Sequence, residues 1–189
     1  MITDRTAVQN YLLIDIDEAF VSQIEDWIAG VQQEMNKLTN RQLIAETTDA
    51  DYLYNGTGKK SIVIDDFVSI TSVYIDDEDI TDDCYFVPAN TTPKWAIESD
   101  RIFPKGRQNI TVTGKKGFAT QDDIDTKYLD LKFAATVLVA GIINFSNNSS
   151  GEVKSETIGR YSVTYTADSS QKQDFENVKN TIRSYRRMG

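Results

Sequence analysis

Apolar residues recur along this chain with two different periods, and the changes of period divide it. From Thr3 to Ile14 the pattern predicts a short helix, capped by Thr3 or Asp4, that buries Val8, Leu12 and Leu13. The segment IDIDEA (14–19) breaks it. A second helix is predicted from Asp17 to Thr39, with Val21, Ile24, Ile28, Val31, Met35 and Leu38 as its stripe and Trp27 beside it. A third and longer helix is predicted over 122–146, capped by Asp122 or Asp123. Its stripe runs Ile124, Tyr128, Leu131, Ala135, Leu138, Ile142 and Phe145. A second apolar set, Phe133, Val137, Ala140 and Ile143, lies off that stripe. A surface helix needs only one buried stripe, so this set requires a second neighbour: either the helix is central in its own domain, or these four residues line a subunit interface. The run Phe133–Ile143 is shorter than the roughly 20 residues a bilayer span needs, so no membrane association is expected.

Between the second and third helices the period falls to two. Short alternating runs predict strands at Ser61–Ile64, Ser69–Ile75, Cys84–Val87, Lys94–Ile97 and Asn109–Thr113. The turn formers between them are NGTG, DDEDITDD, ANTTP, FPKG and GKKG. Residues 52–118 therefore read as an antiparallel module inserted into a helical protein. After the third helix, Ser146–Ser155 is polar, either an idle connector or a contact loop. A late strand follows within 156–166, with Tyr161, Val163 and Tyr165 on one side. A final helix, capped by Asp168, Ser169 or Ser170, carries Phe175, Val178, Ile182 and Tyr185 on one face and ends in Arg183, Arg186 and Arg187. The fold class predicted is α+β. A small bundle of two N-terminal helices and one long central helix carries the inserted β-module and the late strand (residues 1–167). Residues 168–189 form an amphipathic helical arm.

Charge changes the picture in one respect. The chain has 29 acidic and 20 basic residues and a net charge of −9, which repels nucleic acid on average. The last 22 residues run the other way, with five Lys/Arg against three Asp/Glu. Basic residues in a last helical turn also favour the helix dipole, whatever else they do. With no histidine and Cys84 as the only cysteine, the chain lacks the parts for a Ser-His-Asp or Cys-His nucleophile and for a histidine or cysteine zinc site. No intramolecular disulfide is possible, as suits a reducing cytoplasm. The N-terminus shows no basic region followed by an apolar segment, so no signal peptide is expected. Five N-x-S/T matches, beginning at Asn55, Asn90, Asn109, Asn147 and Asn148, carry little weight on that reading.

Two local patterns are set aside on their spacing. GTGKKS (56–61) reads like the end of a phosphate-binding loop, but Leu53 stands where that loop needs glycine and Lys60 where it needs Ser or Thr. The run also leads into a strand, so no helix N-terminus faces a phosphate. The acids Asp76, Asp77, Glu78, Asp79, Asp82 and Asp83 lack the glycine and the closing glutamate of a calcium loop, and read as a solvated hairpin tip. No cofactor, metal or catalytic set is expected.

Taken in order, several stretches resemble the head–tail connector (adaptor) proteins of tailed bacteriophages. They are the short helix, acidic break and long helix ending in Thr39-Asn40-Arg41; Tyr54, Gly56 and Gly58 before Ile62–Ile64; and the Ser69–Asp76 run. Then follow Phe103-Pro104-Lys105-Gly106-Arg107 with Asn109–Thr113, Gly117-Phe118, and finally Gly151, Lys154-Ser155-Glu156, Ile158-Gly159 and Tyr161–Tyr165. Gln121-Asp122 replaces the proline usual before the long helix, and Asn40 stands where glycine is commoner. The resemblance implies a non-enzymatic virion protein of the neck. It implies a homo-oligomeric ring, commonly of twelve subunits, that binds the portal above and a neck or tail protein below and lets DNA pass through its channel. An acidic lumen would let DNA slide, because phosphate binding needs clustered Lys/Arg.

On this reading the third helix contributes Phe133, Val137, Ala140 and Ile143 to the subunit interface. The C-terminal arm docks on the portal through Phe175, Val178, Ile182 and Tyr185, with Arg183, Arg186 and Arg187 meeting acidic residues. The alternatives are a neck stopper or tail-completion ring, a DNA-binding module using the basic C-terminal helix, and an enzyme pairing Asp17 or Glu18 with a distant acid.

Overall fold

A computed structural model describes residues 1–147, 153–158, 161–166 and 169–187. Residues 148–152 of the polar 146–155 segment and the proposed cap at Asp168 lie outside these residues. The chain forms two compact units, Met1–Asn40 with Gln121–Gly189, and Arg41–Thr120. The fold is α+β, as expected.

In the helical unit, α1 spans Arg5–Leu12 and is capped by Asp4, whose carboxylate accepts from the Ala7 N–H at 2.8 Å. Val8 is buried, but Leu13 is not the buried residue its spacing predicts. It closes the helix in the left-handed conformation (φ 55°) with 90% of its surface exposed. A short 3₁₀ turn, Glu18–Phe20, then leads into α2 (Val21–Thr39), where Ile24, Ile28, Val31 and Met35 are buried as the stripe requires. Asn40 ends α2, also left-handed, a conformation that asparagine tolerates better than leucine does.

The predicted third helix is in fact two. The first, α3 (Gln121–Thr126), starts one residue early and so takes Asp122 and Asp123 into its first turn; α4 runs Leu129–Asn147. At the break both the Lys127 and the Tyr128 N–H groups donate to the Asp123 carbonyl, so Tyr128 reaches back five residues and the ladder slips. No glycine or proline marks the site, so periodicity alone could not show it. The late strand is a hairpin, β7 (Val153–Ile158) and β8 (Tyr161–Thr166), which pair antiparallel as a separate two-stranded sheet. The last helix, α5 (Ser169–Ser184), packs on α2 and α4.

The β unit is one antiparallel sheet. Its strands are β1 (Ala50–Gly56), β2 (Lys59–Ile75), β3 (Glu78–Asp79), β4 (Cys84–Val87), β5 (Lys94–Phe103) and β6 (Gly106–Lys116), in the order β1-β6-β2-β5-β4 with β3 on β2. The sequence pattern places two strands where β2 is continuous. Its first half pairs β5 and its second half pairs β6, with register shifts on either side of Phe67. Those bulges move the buried positions from even (Ile62, Ile64) to odd (Phe67, Val73, Ile75), which is why one strand looks like two. Strand β1 falls where the pattern shows only a turn; Tyr52 and Tyr54 face the core from it and Leu53 faces out.

Two turns lock this sheet. The Gly56 N–H donates to Asn109 Oδ1 (2.9 Å), Asn109 Nδ2 to the Pro104 carbonyl (3.0 Å), and the Gly58 N–H to the Phe103 carbonyl (2.7 Å). A Cβ on Gly56 would lie 1.8 Å from the Pro104 oxygen, so only glycine fits. The chain enters and leaves the unit side by side: the Ala45 N–H donates to Ala119 O (2.8 Å) and the Phe118 N–H to Gln42 O (2.8 Å). Arg41 bonds the buried Asp66 at 2.8 Å while its guanidinium lies over the Phe118 ring.

The acidic tip is not an idle loop. Ile80 is buried at 2% in the core cluster, and its N–H donates to Val73 O (2.9 Å). The acids around it read from sequence as a solvated hairpin tip, yet trimming 76–83 would remove a core residue.

Candidate interaction surfaces

Helix α4 settles where its second apolar set goes. The consecutive residues Ala134 to Ala140 are all buried, and α1, α2, α3, α5 and β8 all lie against this helix. Val137, Ala140 and Ile143 are thus covered within the chain, and the neighbour they require is the helical unit itself. Phe133 differs. It is 54% exposed, edge-on to the Tyr11 ring (centroids 5.9 Å apart), and Leu129, one turn before it, is equally exposed. One buried polar contact fixes α4 against the N-terminus: the Thr3 and Thr136 hydroxyls share a hydrogen bond of 2.7 Å.

The apolar face of α5 is also largely used inside the chain. Val178 and Ile182 are 2% and 1% exposed. The Tyr185 hydroxyl donates to the Asp130 carboxylate at 3.0 Å, its ring meets Tyr128 edge-on, and burial with this bond pushes its pKa up to about 12. The Arg187 N–H donates to the Thr39 carbonyl (2.9 Å), which ties the end of the chain to the end of α2. Phe175 lies outside the described side chains. Arg183 and Arg186 point into solvent. Of the seven residues assigned to a portal-docking face, Val178 and Ile182 are core, Tyr185 is an anchor, and the arginines remain at the surface.

A further group of exposed apolar residues in the helical unit gathers where α1 passes into α2. Leu13, Ile14 and Phe20 stand out from a segment that also carries Asp15, Asp17 and Glu18. In the sequence this segment shows only as a break, because three acids in six residues hide the apolar side chains between them. Asp17 also serves the local structure, since its carboxylate accepts from the Ala19 N–H (3.0 Å) and caps the 3₁₀ turn. In the β unit Leu53, Val63, Tyr85, Trp95 and Ile102 are exposed.

Chemistry at the polar groups is that of turns and ion pairs. Arg101 grips the Glu78 carboxylate through both its terminal nitrogens (2.7 and 2.9 Å), and this hydrogen bonding lowers the Glu78 pKa. Thr81 donates twice to Asp79, lowering that carboxyl too. Burial pushes the Cys84 thiol up to about 11, the opposite of what a nucleophile needs. Among the described residues, no group of three or more acids or cysteines is placed to hold a metal ion, and no helix is long and apolar enough to cross a membrane.

Comparison with known proteins gives a likeness of fold. No family model and no curated protein matches the sequence. Among solved structures, the chain is similar to one described as the neck of an empty GTA particle computed with C6 symmetry. The match has a TM-score of 0.62 at 12% identity and covers 97% of this chain and 89% of the other.

Proposed function

We propose that this chain is a structural virion protein of the neck, a head–tail connector (adaptor). In this role it forms a ring beneath the portal, joins the head to the neck or tail, and leaves a channel for DNA. The observation that carries the reading is the fold likeness, over nearly the whole of both chains, to the neck of an empty GTA particle computed with C6 symmetry. The ordered motifs of the sequence support it independently, and two of them, around Gly56 and around Pro104, are the turns that lock the β unit. The exposed Leu129 and Phe133, in the first turns of α4, supply part of a subunit contact, whereas Val137, Ala140 and Ile143 further along the same face are covered within the chain.

The portal contact is left unassigned, because the α5 face first given to it is largely spent within the chain. The purified protein, alone and mixed with its portal protein, should give a closed oligomer by native mass measurement, with a subunit number that matches or divides the portal's. A chain that stays monomeric both alone and with portal would overturn the ring. A ring that forms only with a tail-side protein would favour the stopper or tail-completion alternative.

A further inference from the structure

The helical unit carries two unlike surfaces at the two ends of α2. At the N-terminal end is the α1–α2 knuckle, where Leu13, Ile14 and Phe20 are exposed among Asp15, Asp17 and Glu18, with no lysine or arginine from Leu13 to Phe20. At the C-terminal end, tied by the Arg187 N–H to Thr39 O, is the end of α5, with Arg183 and Arg186 exposed and no acid after Lys179. Tyr185 brings this end against Asp130 of α4, beside the exposed Leu129. The first surface is therefore apolar and acidic, and the second is apolar with an excess of basic groups, Arg183 and Arg186 against Asp130. A helix of 19 residues keeps their anchor points about 28 Å apart.

Leu13 makes the knuckle more than a chance exposure. At the position that closes α1 the backbone is left-handed, where glycine costs nothing and a Cβ is strained. The Leu13 and Ile14 N–H groups both return to the Gln9 carbonyl, so the closure itself asks for glycine or asparagine, as Asn40 supplies at the end of α2. Leucine there gives up local stability to hold an apolar side chain 90% in water. Strain retained at an exposed apolar residue is the mark of a contact that is completed elsewhere.

We infer that the knuckle docks on the α5 end of a second copy of this chain, so that copies join head to tail. Two complementary surfaces so far apart on one molecule cannot satisfy each other within it. A contact between different surfaces is also the type that propagates and closes into a ring. The apolar residues supply the adhesion, while the opposed charges orient the approach and reject the reverse pairing. This inference rests on the ring reading and names the surfaces that would build it.

The test uses the full chain and reads oligomer mass by sedimentation and native mass measurement at low and high salt. Leu13→Gly should lower the assembled fraction at least tenfold while raising or keeping the melting temperature, a pairing that a purely structural leucine would not give. Asp15→Lys with Glu18→Lys should block assembly, as should Arg183→Glu with Arg186→Glu. Mixing these two variants should restore oligomers in which they alternate. Wild-type assembly that all these variants share unchanged would overturn the head-to-tail contact and leave the ring standing. Loss of assembly in Leu13→Gly with an equal loss of melting temperature would return Leu13 to a structural role and overturn the inference. Wild-type chain that never assembles, with or without portal, would overturn the ring and this contact together.

Discussion

Along α4, seven consecutive residues are buried and no side of that stretch faces solvent; along β2, burial alternates and slips by one position at Phe67. The helical unit solves its packing by surrounding one apolar helix. The β unit solves it by bending one long strand so that each half pairs a different neighbour. In the first case the off-stripe residues Val137, Ala140 and Ile143 mean another internal partner. In the second, a break in alternation means a bulge and not an end. The same local signal, a departure from period, thus has opposite meanings in the two units.

The largest expected effect tests the surrounded helix. Val137→Glu puts a carboxylate among apolar neighbours and should cost at least about 4 kcal/mol, the scale for burying an unpaired charge. Leu138→Glu should cost as much, because both residues are buried. Urea denaturation followed by tryptophan fluorescence can separate the units, since Trp27 lies in the helical one and Trp95 in the β one. A Val137→Glu chain of normal stability that fails only to assemble would make this side of α4 an outward face and end the contrast.

Next comes the ion pair of the β unit. Asp66 is 4% exposed and holds Arg41 at 2.8 Å, so Asp66→Ala leaves a guanidinium half-buried and short of its partner. Breaking such a pair costs about 3–5 kcal/mol, whereas replacing both partners with apolar residues is often neutral. Arg41→Met with Asp66→Leu should therefore recover most of the loss, read from the Trp95 transition. If the double variant were as unstable as the single, the pair would be needed for its geometry, and the bend in β2 would depend on a polar tie.

How much of this was legible follows from what each signal requires. The stripe of α2 and the span of β4 were readable because one period ran unbroken between clear stops. The α3–α4 break was not, since the slip at Tyr128 is made by a backbone bond and leaves no residue signature. Strand β1 was missed because Gly56 and Gly58 read as a turn, when Gly56 is in the strand and glycine only because Pro104 crowds it. The knuckle was missed for its charge. The C-terminal face was read correctly as apolar at Val178 and Ile182, but no sequence pattern could say that α2 and α4 already cover it.

Alkaline pH offers a smaller effect that strikes both units alike. Burial, reinforced by hydrogen bonds to Asp130 and Glu46, raises Tyr185 and Tyr52 to about 12. A folded pKa above the unfolded value of about 10 means that the folded state holds its proton longer. The contribution is complete below pH 10 and is lost as pH rises through about 12. Both transitions should therefore weaken across that window. Tyr185→Phe should flatten the loss only at Trp27, and Tyr52→Phe only at Trp95. Cross-effects between the two would show that the units do not melt independently.

The smallest effect concerns the acidic tip, where the two kinds of residue in one turn separate cleanly. Ile80 is in the core, Glu78 and Asp79 are held by Arg101 and Thr81, and Asp77 and Asp82 are exposed. The tip keeps its shape through the buried isoleucine and the closures on either side of it, so the charge on the two exposed acids is not needed for folding. Asp77→Asn with Asp82→Asn should change stability by no more than about 0.5 kcal/mol each, as ordinary surface substitutions do. Relief of repulsion within a run of six acids makes a slight gain the expected sign at low salt, fading as salt screens the charges. A drop in the Trp95 transition beyond that range, persisting at high salt, would mean that these carboxylates hold the turn. The tip would then be stabilised by polar contacts, and the β unit would no longer owe this corner to its apolar core.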